Sequence, residues 1–325
     1  MIAAINDPRI QKILTLPEDN TAEWRNDLKR LEAGDTTLTR KSAGESTIKA
    51  VQRLLIFLGY STGSSGSFSI DGDFGRGTNR AVAQFQFENG LNPNIKRPTL
   101  CYDCTWQTAS KNIVAIPDVR LTVPTVEKML ATALKMIDMK QVTCGDFEEA
   151  LFHLNGLHRS TLMSCKQILQ RFGAHVDLAV SRIRNEKGLD MPREWVLAIM
   201  KQETGGIVRP RFEQHYLTRM NQQEPQTDFT ELRYRSMSFG LGQIMGENYK
   251  RVGAPSARSM FVSPIAEQVL FVARYLALRD EVVSKKNPTD ADFRELARFY
   301  NGPGYEKHHY HESIATWFKE FRTIM

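Results

Sequence analysis

Cysteine is scarce in this sequence, with four residues in a chain of 325. Cys101 and Cys104 have the spacing of a metal-binding or redox pair, whereas Cys144 and Cys165 are isolated. A structural zinc site would need a second pair at matching spacing, so these cysteines do not predict one. We expect free thiols, with a disulfide between Cys101 and Cys104 as the alternative.

Histidine is also sparse, and three of the seven residues, His308, His309 and His311, lie close together near the C-terminus. Metal sites usually combine histidine with cysteine or carboxylate ligands at fixed spacing. We therefore interpret this stretch as a solvated polar segment. We predict neither a metal ion nor a cofactor.

Long apolar runs are absent as well. No segment is long enough to cross a membrane as a helix, so we expect no stable membrane insertion. The first seven residues lack the basic start and apolar core of a secretory signal, which predicts synthesis in the cytoplasm. The net charge of +6 favours an anionic partner. No dense basic run is interleaved with aromatic residues, so we do not expect nucleic acid binding.

The chain does contain amphipathic helices, and one of them carries a carboxylate on its apolar face. Trp195, Ile199 and Glu203 recur at helical spacing, before two glycines at 205 and 206 that end the helix. Burial disfavours the charged form of a carboxyl group and raises its pKa, which suits a proton donor at neutral pH. The alternative is a solvated Glu203 at a frayed helix end, and the pattern alone favours neither.

Two later segments bring amide, hydroxyl and aromatic side chains next to glycine. Residues 236–246 read Ser-Met-Ser-Phe-Gly-Leu-Gly-Gln-Ile-Met-Gly, so a ligand can approach the backbone closely beside Gln243. Residues 297–305 carry an apolar helix into an Asn-Gly-Pro-Gly turn. Such side chains are typical of sugar binding. The candidate substrate-binding residues are Ser238, Gln243, Tyr300, Asn301 and Tyr305.

In this order the motifs resemble the lysozyme-like superfamily that cleaves peptidoglycan glycan strands, and most closely the N-acetylmuramidase family found in phage endolysins. The pattern of that family combines Glu-Ser-Gly/Thr-Gly-Gly, Phe-Glu-x-His, Gly-x-x-Gln-Ile-Met-Gly and Tyr-Asn-Gly-Pro-Gly-Tyr. The corresponding segments here are residues 203–206, 212–215, 240–246 and 300–305. The resemblance covers residues 192–325. It implies an α-helical lysozyme-like domain with Glu203 as the general acid and Glu213 as the second catalytic carboxylate.

The resemblance leaves the reaction open between two mechanisms. In an inverting hydrolase, Glu213 would hold the attacking water as a base, unless it only bonds to backbone near the cleft. In a lytic transglycosylase, the muramic 6-hydroxyl attacks within the substrate, Glu203 acts as acid and then base, and Tyr300 orients Glu203. Gln243 and Asn301 would hold N-acetyl or hydroxyl groups in either case. The Gln-Ile-Met-Gly and Asn-Gly-Pro-Gly-Tyr details favour a muramidase, a lysozyme-type glycoside hydrolase.

A second resemblance lies near the N-terminus. An apolar helical face between Ile48 and Leu58 is followed by Ile-Asp-Gly-Asp-Phe-Gly at residues 70–75 and by a second amphipathic helix at 78–88. These elements resemble the three-helix peptidoglycan-binding domain, except that a long insertion at 92–120 precedes the expected third helix at 125–136. The alternative is a helical adaptor without sugar affinity. The residues that the resemblance implies for cell-wall binding are Asp71, Asp73, Phe74 and Gln86.

We therefore predict a mainly α fold with a three-helix peptidoglycan-binding bundle and an α-helical lysozyme-like catalytic domain. The predicted domains are an N-terminal helical extension (1–41), the peptidoglycan-binding domain (42–139), a helical packing region (140–191) and the muramidase domain (192–325). The packing region is expected to contain helices at 146–154, 159–172 and 175–185.

This organisation resembles endolysins of phages that infect Gram-negative hosts, and it sets the expected partners and location. We expect a monomer that binds peptidoglycan glycan strands. It would be made in the host bacterial cytoplasm and would act in the periplasm and cell wall after release during lysis. A non-enzymatic cell-wall-binding phage structural protein is the alternative of another class. A zinc-dependent peptidase lacks the ligand spacing in this sequence.

Overall fold

The structure is a computed structural model that describes residues 3–16, 18, 21–101 and 119–324. Most of these residues are α-helical and the few strands are short, so the predicted mainly α fold is confirmed. Residues 102–118 of the predicted insertion, and with them Cys104, lie outside the described residues. Within the described ranges, no helix has both the length and the apolar character needed to cross a membrane.

The helices follow one another with short connections. In chain order they are α1 (Pro8–Leu14), α2 (Thr21–Glu32), α3 (Glu45–Phe57), α4 (Arg76–Glu88), α5 (Arg97–Leu100), α6 (Val123–Asp138), α7 (Phe147–His158), α8 (Cys165–Lys187), α9 (Arg193–Thr204), α10 (Gln214–Gln223), α11 (Phe229–Arg235), α12 (Ala257–Val262), α13 (Ile265–Leu276), α14 (Asp280–Val283), α15 (Asp290–Asn301) and α16 (Tyr310–Ile324). The strands are β1 (Arg211–Phe212), β2 (Met237–Phe239) and β3 (Ile244–Met245), and β1 pairs antiparallel with β2.

The chain forms two compact units that do not follow its linear order. Unit 1 comprises Met1–Ser160 and Pro210–Ser238, and unit 2 comprises Thr161–Arg209 and Phe239–Met325. The predicted boundaries differ from this division in two respects. The N-terminal extension and the peptidoglycan-binding helices share one unit. Residues 210–238, which we had predicted as part of the catalytic domain, belong to unit 1.

The core of unit 1 is built around α3, which packs against α1, α2, α6 and α7. Arg53 of α3 is completely buried. Its guanidinium group donates hydrogen bonds to the carbonyl oxygens of Ile13 (2.6 Å) and Lys12 (3.2 Å) and to Oδ1 of Asn155 (2.9 Å). Carbonyls at the C-terminal end of a helix lack partners within the helix, and a cation satisfies them. This one side chain therefore ties α1 and α7 to α3.

Residues 210–238 join unit 1 through a buried ion pair. Arg233 of α11 and Glu88 of α4 are 2% and 6% exposed, and Nε of the arginine lies 2.5 Å from Oε1 of the glutamate. Arg233 also donates to the carbonyl of Gly59 at 2.7 Å. The rings of Phe87 and Phe229 pack edge-to-face with centroids 5.1 Å apart. Two buried charges cost less when they are paired and hydrogen-bonded, as they are here.

A glycine makes room for β1 on the same unit. The N–H of Phe212 donates to the carbonyl of Gly66 at 2.8 Å. A Cβ on Gly66 would lie 1.8 Å from the carbonyl oxygen of Phe212, and its φ of +89° is itself unfavourable for other residues. The Ser/Gly-rich loop at 61–67 therefore packs against β1 so closely that position 66 requires a glycine.

Unit 2 begins with one long helix where the sequence predicts two. The expected helices at 159–172 and 175–185 are wrong as separate elements, because α8 runs continuously over 23 residues. It starts with a capping box between Ser164 and Gln167 and ends at Gly188 in the left-handed conformation. Gly173 lies inside α8. A glycine there costs about 1 kcal/mol of helix stability, which burial of the apolar face on both sides of it outweighs.

Helix α9 is the centre of unit 2 and packs against α8, α13 and α16. Trp195 is fully buried, with its ring 4.6 Å from that of Phe318 and 5.1 Å from that of Phe293 between centroids. The helix ends at Gly205, where φ is +57°. This stop places Glu203 in the last turn of a buried helix.

Candidate active site

Glu203 lies in the last turn of α9 and is half-buried. Burial raises the pKa of its carboxyl group to about 7, although a hydrogen bond from Tyr310 and the positive charge of Arg209 lower it. A carboxyl group with this pKa is substantially protonated at neutral pH, which a general acid requires. Its position is therefore not that of a solvated glutamate at a frayed helix end. Its catalytic role stays a prediction.

The carboxyl group of Glu203 is held by Tyr310, which sequence analysis did not identify. Tyr310 is the first residue of α16, is 5% exposed, and its hydroxyl donates a hydrogen bond to Oε1 of Glu203. Because the neighbouring residues His308, His309 and His311 are polar, the sequence predicted a solvated segment here. A signal was nevertheless present, because Tyr310, Ile314 and Phe318 recur at helical spacing and are all buried.

Tyr300 has a different role from the expected one of orienting Glu203. Its hydroxyl donates to the carbonyl oxygen of Gly242 at 2.6 Å. The neighbouring carbonyl, that of Leu241, accepts a hydrogen bond of 3.0 Å from the hydroxyl of Thr204. Tyr300 and Thr204 thus hold the Gly-Leu-Gly-Gln loop through hydrogen bonds to two adjacent carbonyl groups. Thr204 is fully buried and directly follows Glu203, so the loop and the carboxyl group share one support.

Gln243 adopts a backbone conformation that is uncommon for its residue type. Its φ is +50°, in the left-handed region, and the side chain is half-buried. Nε2 donates to the carbonyl of Gly240 at 3.3 Å. Such strain is frequent at ligand sites, where the surrounding structure holds it in place. This is consistent with the predicted substrate contact, which stays a prediction.

The Asn-Gly-Pro-Gly turn separates the two other candidates of unit 2. Asn301 ends α15 and its side chain is exposed, so it remains available to a ligand. Tyr305 is 2% exposed and its hydroxyl donates to Oε1 of Glu306 at 2.8 Å. Its ring packs edge-to-face on His311, with centroids 5.4 Å apart. Tyr305 therefore has the position of a packing residue.

The remaining two candidates for catalysis and substrate binding lie in unit 1. Glu213 is half-buried, and its Oε1 forms an ion pair with Nε of Arg211 at 2.7 Å. Nδ1 of His215 lies 3.7 Å from Oε2. Ser238 is buried in β2, where it is paired with Arg211. The roles of Glu213 as a base and of Ser238 as a substrate contact stay predictions.

The predicted wall-binding loop is organised by Gln52, a further residue that sequence analysis missed. Its Oε1 accepts from the N–H groups of Asp71 and Gly72, at 3.0 and 2.9 Å. Its Nε2 donates to Oδ1 of Asp71 at 2.7 Å and to Oγ1 of Thr78 at 3.0 Å. Gln52 is fully buried in α3, so the amide fixes the loop to the helix.

Only part of the predicted wall-binding set faces outward. Asp71 and Asp73 are exposed, whereas Phe74 and Gln86 are 5% and 3% exposed. Gln86 donates to the carbonyl of Arg120 at 2.8 Å. Phe74 and Gln86 therefore pack within the bundle, and the roles of all four residues in wall binding stay predictions.

The cysteine and histidine side chains show no sign of a metal centre in the part of the chain that the structure describes, where no three potential ligands come together. Cys101 is a buried thiol, and burial raises its pKa to about 11. The alternative Cys101–Cys104 disulfide lies outside the described residues. His308 and His309 are exposed, but the solvated interpretation is wrong for His311, which is 6% exposed.

A half-buried carboxylic acid with a raised pKa has the property that a glycosidase general acid requires, and this role of Glu203 stays a prediction. Residues 226–322 match the N-acetylmuramidase family, and residues 44–94 match the family of the peptidoglycan binding domain. The chain therefore carries an N-terminal peptidoglycan-binding domain and a C-terminal muramidase domain, and it is a peptidoglycan hydrolase. The muramidase match contains Gln243 and Tyr310 but starts after Glu203 and Glu213.

Among solved structures, the chain is similar to one described as the crystal structure of Burkholderia AP3 phage endolysin. The two are 17% identical, the alignment covers 89% of this chain and 100% of that chain, and the TM-score is 0.36. No curated protein matches the sequence.

Proposed function

We propose that the protein is an endolysin of the N-acetylmuramidase type, which hydrolyses the β-1,4 bond between N-acetylmuramic acid and N-acetylglucosamine. The observation that carries this proposal is the half-buried Glu203, whose pKa burial raises to about 7. Cleavage of a glycosidic bond needs a proton for the leaving oxygen, and a carboxyl group with this pKa supplies one at neutral pH.

In the proposed mechanism, Glu203 protonates the glycosidic oxygen while Gln243 and Asn301 hold N-acetyl or hydroxyl groups of the sugar. Glu213 is the candidate base for the attacking water, and its Oε1 forms an ion pair of 2.7 Å with Nε of Arg211. The acid works only when it is protonated, so activity is expected to fall as the pH rises through about 7.

The biological setting is part of the proposal. The enzyme acts on peptidoglycan as a monomer, without nucleic acid and without stable insertion into a membrane. It is made in the cytoplasm of a host bacterium and reaches the periplasm and cell wall during lysis. The exposed Asp71 and Asp73 of the N-terminal domain support contact with the wall.

Mass spectrometry of digested peptidoglycan tests the reaction. We expect products with reducing N-acetylmuramic acid ends from the wild type and a loss of activity of about a hundred- to ten-thousand-fold in Glu203→Gln. Glu281→Gln, which changes an exposed carboxylate of unit 2, is the control and keeps full activity. Products with 1,6-anhydro ends would identify a lytic transglycosylase instead. Binding without any cleavage would identify a structural cell-wall protein.

A further inference from the structure

Tyr310 is the side chain that donates a hydrogen bond to Glu203 within unit 2. The tyrosine is 5% exposed, and burial together with the negative charge of Glu203 raises its pKa well above the ordinary value. Its hydroxyl therefore keeps its proton throughout the working range of the enzyme. It is a donor whether Glu203 is ionised or neutral.

We propose that Tyr310 is a positioning residue for catalysis. Its hydroxyl group donates a hydrogen bond to Oε1 of Glu203, so that the acidic proton is carried on Oε2. A neutral carboxyl group has one carbonyl oxygen, which accepts, and one hydroxyl, which donates. With a permanent donor at Oε1, that oxygen takes the carbonyl role. The proton on Oε2 is then free to be given to the glycosidic oxygen. The inference rests on the proposed role of Glu203.

Two further charged or titratable groups bear on the same carboxyl group. Arg209 follows α9, and its positive charge lowers the pKa of Glu203. Tyr300 of α15 remains protonated, because burial and Glu203 raise its pKa well above the ordinary value. The hydroxyl of Tyr300 already donates to Gly242, at 2.6 Å, so it does not replace Tyr310 at Oε1. The hydrogen bond from Tyr310 lowers the pKa of Glu203.

Helix α16 is anchored independently of this hydrogen bond. Nε1 of Trp317 donates to the amide oxygen of Gln202 at 3.0 Å, and Nε of Arg322 donates to Glu194 at 3.0 Å. The ring of Phe318 packs on Trp195. Removal of one hydroxyl group therefore leaves α16 docked on α9, and the effect of the hydroxyl on the acid can be measured in a folded protein.

The test compares Tyr310→Phe with the wild type on soluble glycan strands across pH. We expect kcat to fall about tenfold or more with little change in KM, and the basic limb of the kcat profile to move up by about one pH unit. Tyr249→Phe is the matched control. It removes the hydroxyl group of a half-buried tyrosine of unit 2. This hydroxyl group makes no hydrogen bond with the described residues, so the pH profile should stay unchanged.

A second measurement follows the acid without any turnover. A titration of the Glu203 carboxyl by ¹³C NMR should give a pKa of about 7 in the wild type and a higher value in Tyr310→Phe. If Tyr310 were only structural, Tyr310→Phe would lower the melting temperature but leave the basic limb of the kcat profile and the pKa of Glu203 unchanged. That result would overturn the inference. Full activity of Glu203→Gln would instead refute the proposed function, whatever the behaviour of Tyr310→Phe.

Discussion

Three consecutive side chains at the end of α9 have three different partners. Gln202 accepts a hydrogen bond from Trp317, Glu203 accepts one from Tyr310, and Thr204 donates one to the carbonyl of Leu241. Successive residues of a helix point about 100° apart, so one turn can reach both a neighbouring helix and a loop. The candidate acid Glu203 therefore lies between Gln202 and Thr204, and each of these two side chains is held by a hydrogen bond of its own.

The raised pKa of Glu203 predicts a pH-dependent change in stability. Because its folded pKa is about 7 and its ordinary value is 4.5, the stability of the wild type falls as the pH rises from the lower to the higher value. Glu203→Gln removes this loss. We expect the variant to be more stable than the wild type by on the order of 2 kcal/mol at pH 8 and equal to it at pH 4. Urea unfolding at both values checks this, and a difference independent of pH would contradict it.

The ion pair of Glu213 allows its proposed role as a base to be examined separately from its structural role. Glu213→Gln should lower turnover strongly, though less completely than Glu203→Gln, because water still attacks a protonated bond slowly. Azide should restore part of the rate by acting as the nucleophile. Arg211→Met also removes the ion pair of 2.7 Å and serves as the comparison. Equal losses in both variants, without rescue by azide, would indicate a structural glutamate.

Glu203 could be identified from the sequence because its own helix carries the signal. The helical spacing of Tyr310, Ile314 and Phe318 could have predicted that Tyr310 is buried, but not that it bonds to Glu203, because the two residues lie 107 positions apart. Gln52 illustrates the same limit. The bonds of its amide to Asp71 and Thr78 depend on how a loop folds back on α3.

At the scale of elements, helices with a regular apolar stripe could be predicted and breaks within them could not. Helix α6 was expected at 125–136 and spans Val123–Asp138. Helix α8 was predicted as two helices, at 159–172 and 175–185, on either side of Gly173, and glycine is a poor helix former. Five apolar residues on its buried face outweigh that cost, and their contribution depends on the partner helices rather than on α8 itself. They are Ile168, Phe172, Val176, Ala179 and Ile183.

The Gly-Leu-Gly-Gln loop depends on the absence of a side chain at Gly242. A Cβ there would lie 2.4 Å from Cγ2 of Val272 and 2.8 Å from the hydroxyl of Tyr300. We expect Gly242→Ala to destabilise the protein by about 1–3 kcal/mol and to weaken substrate binding, because the loop with Gln243 must move. Gly304→Ala, where a Cβ meets no atom within 4 Å, is the stability control. Equal melting temperatures of the two variants would show that the loop tolerates the side chain.

At the scale of the molecule, each compact unit combines segments that are not consecutive in the sequence. The muramidase match begins at residue 226, within the segment Pro210–Ser238 that belongs to unit 1. The sequence could not indicate this, because the ion pair that holds the segment joins residues 145 positions apart. Glu88 and Arg233 lie in two separate matched segments, residues 44–94 and 226–322. Burial of both charges requires the packed unit.

The buried ion pair makes Glu88 a sensitive point of unit 1. Glu88→Gln leaves the guanidinium group of Arg233 buried without its counter-charge, although the neighbouring rings of Tyr60 and Tyr234 remain. Removal of one partner of such a pair typically costs about 3–5 kcal/mol. We expect a loss of this size in urea unfolding. Glu45→Gln, which breaks the exposed pair with Lys49, is the control and should change stability little. A similar result for both variants would mean that the buried pair contributes nothing.

The composition of unit 1 also predicts which fragment binds the cell wall. Residues 42–139 contain the motifs of the peptidoglycan-binding domain but lack α1 and α7, whose backbone and side chain accept from the buried Arg53. They also lack α11, so Glu88 would lose Arg233. We expect this fragment to be unfolded by circular dichroism and to stay in the supernatant of a peptidoglycan pull-down. Residues 1–160 joined to 210–238 by a flexible linker should fold and sediment with the wall. They retain Ile13, Lys12 and Asn155, which bind Arg53, and Glu88 and Gly59, which bind Arg233. They should not cleave the wall, because they lack Glu203. Binding by the short fragment with the same affinity would show that the three-helix motif is sufficient and that the additional segments serve the catalytic domain alone.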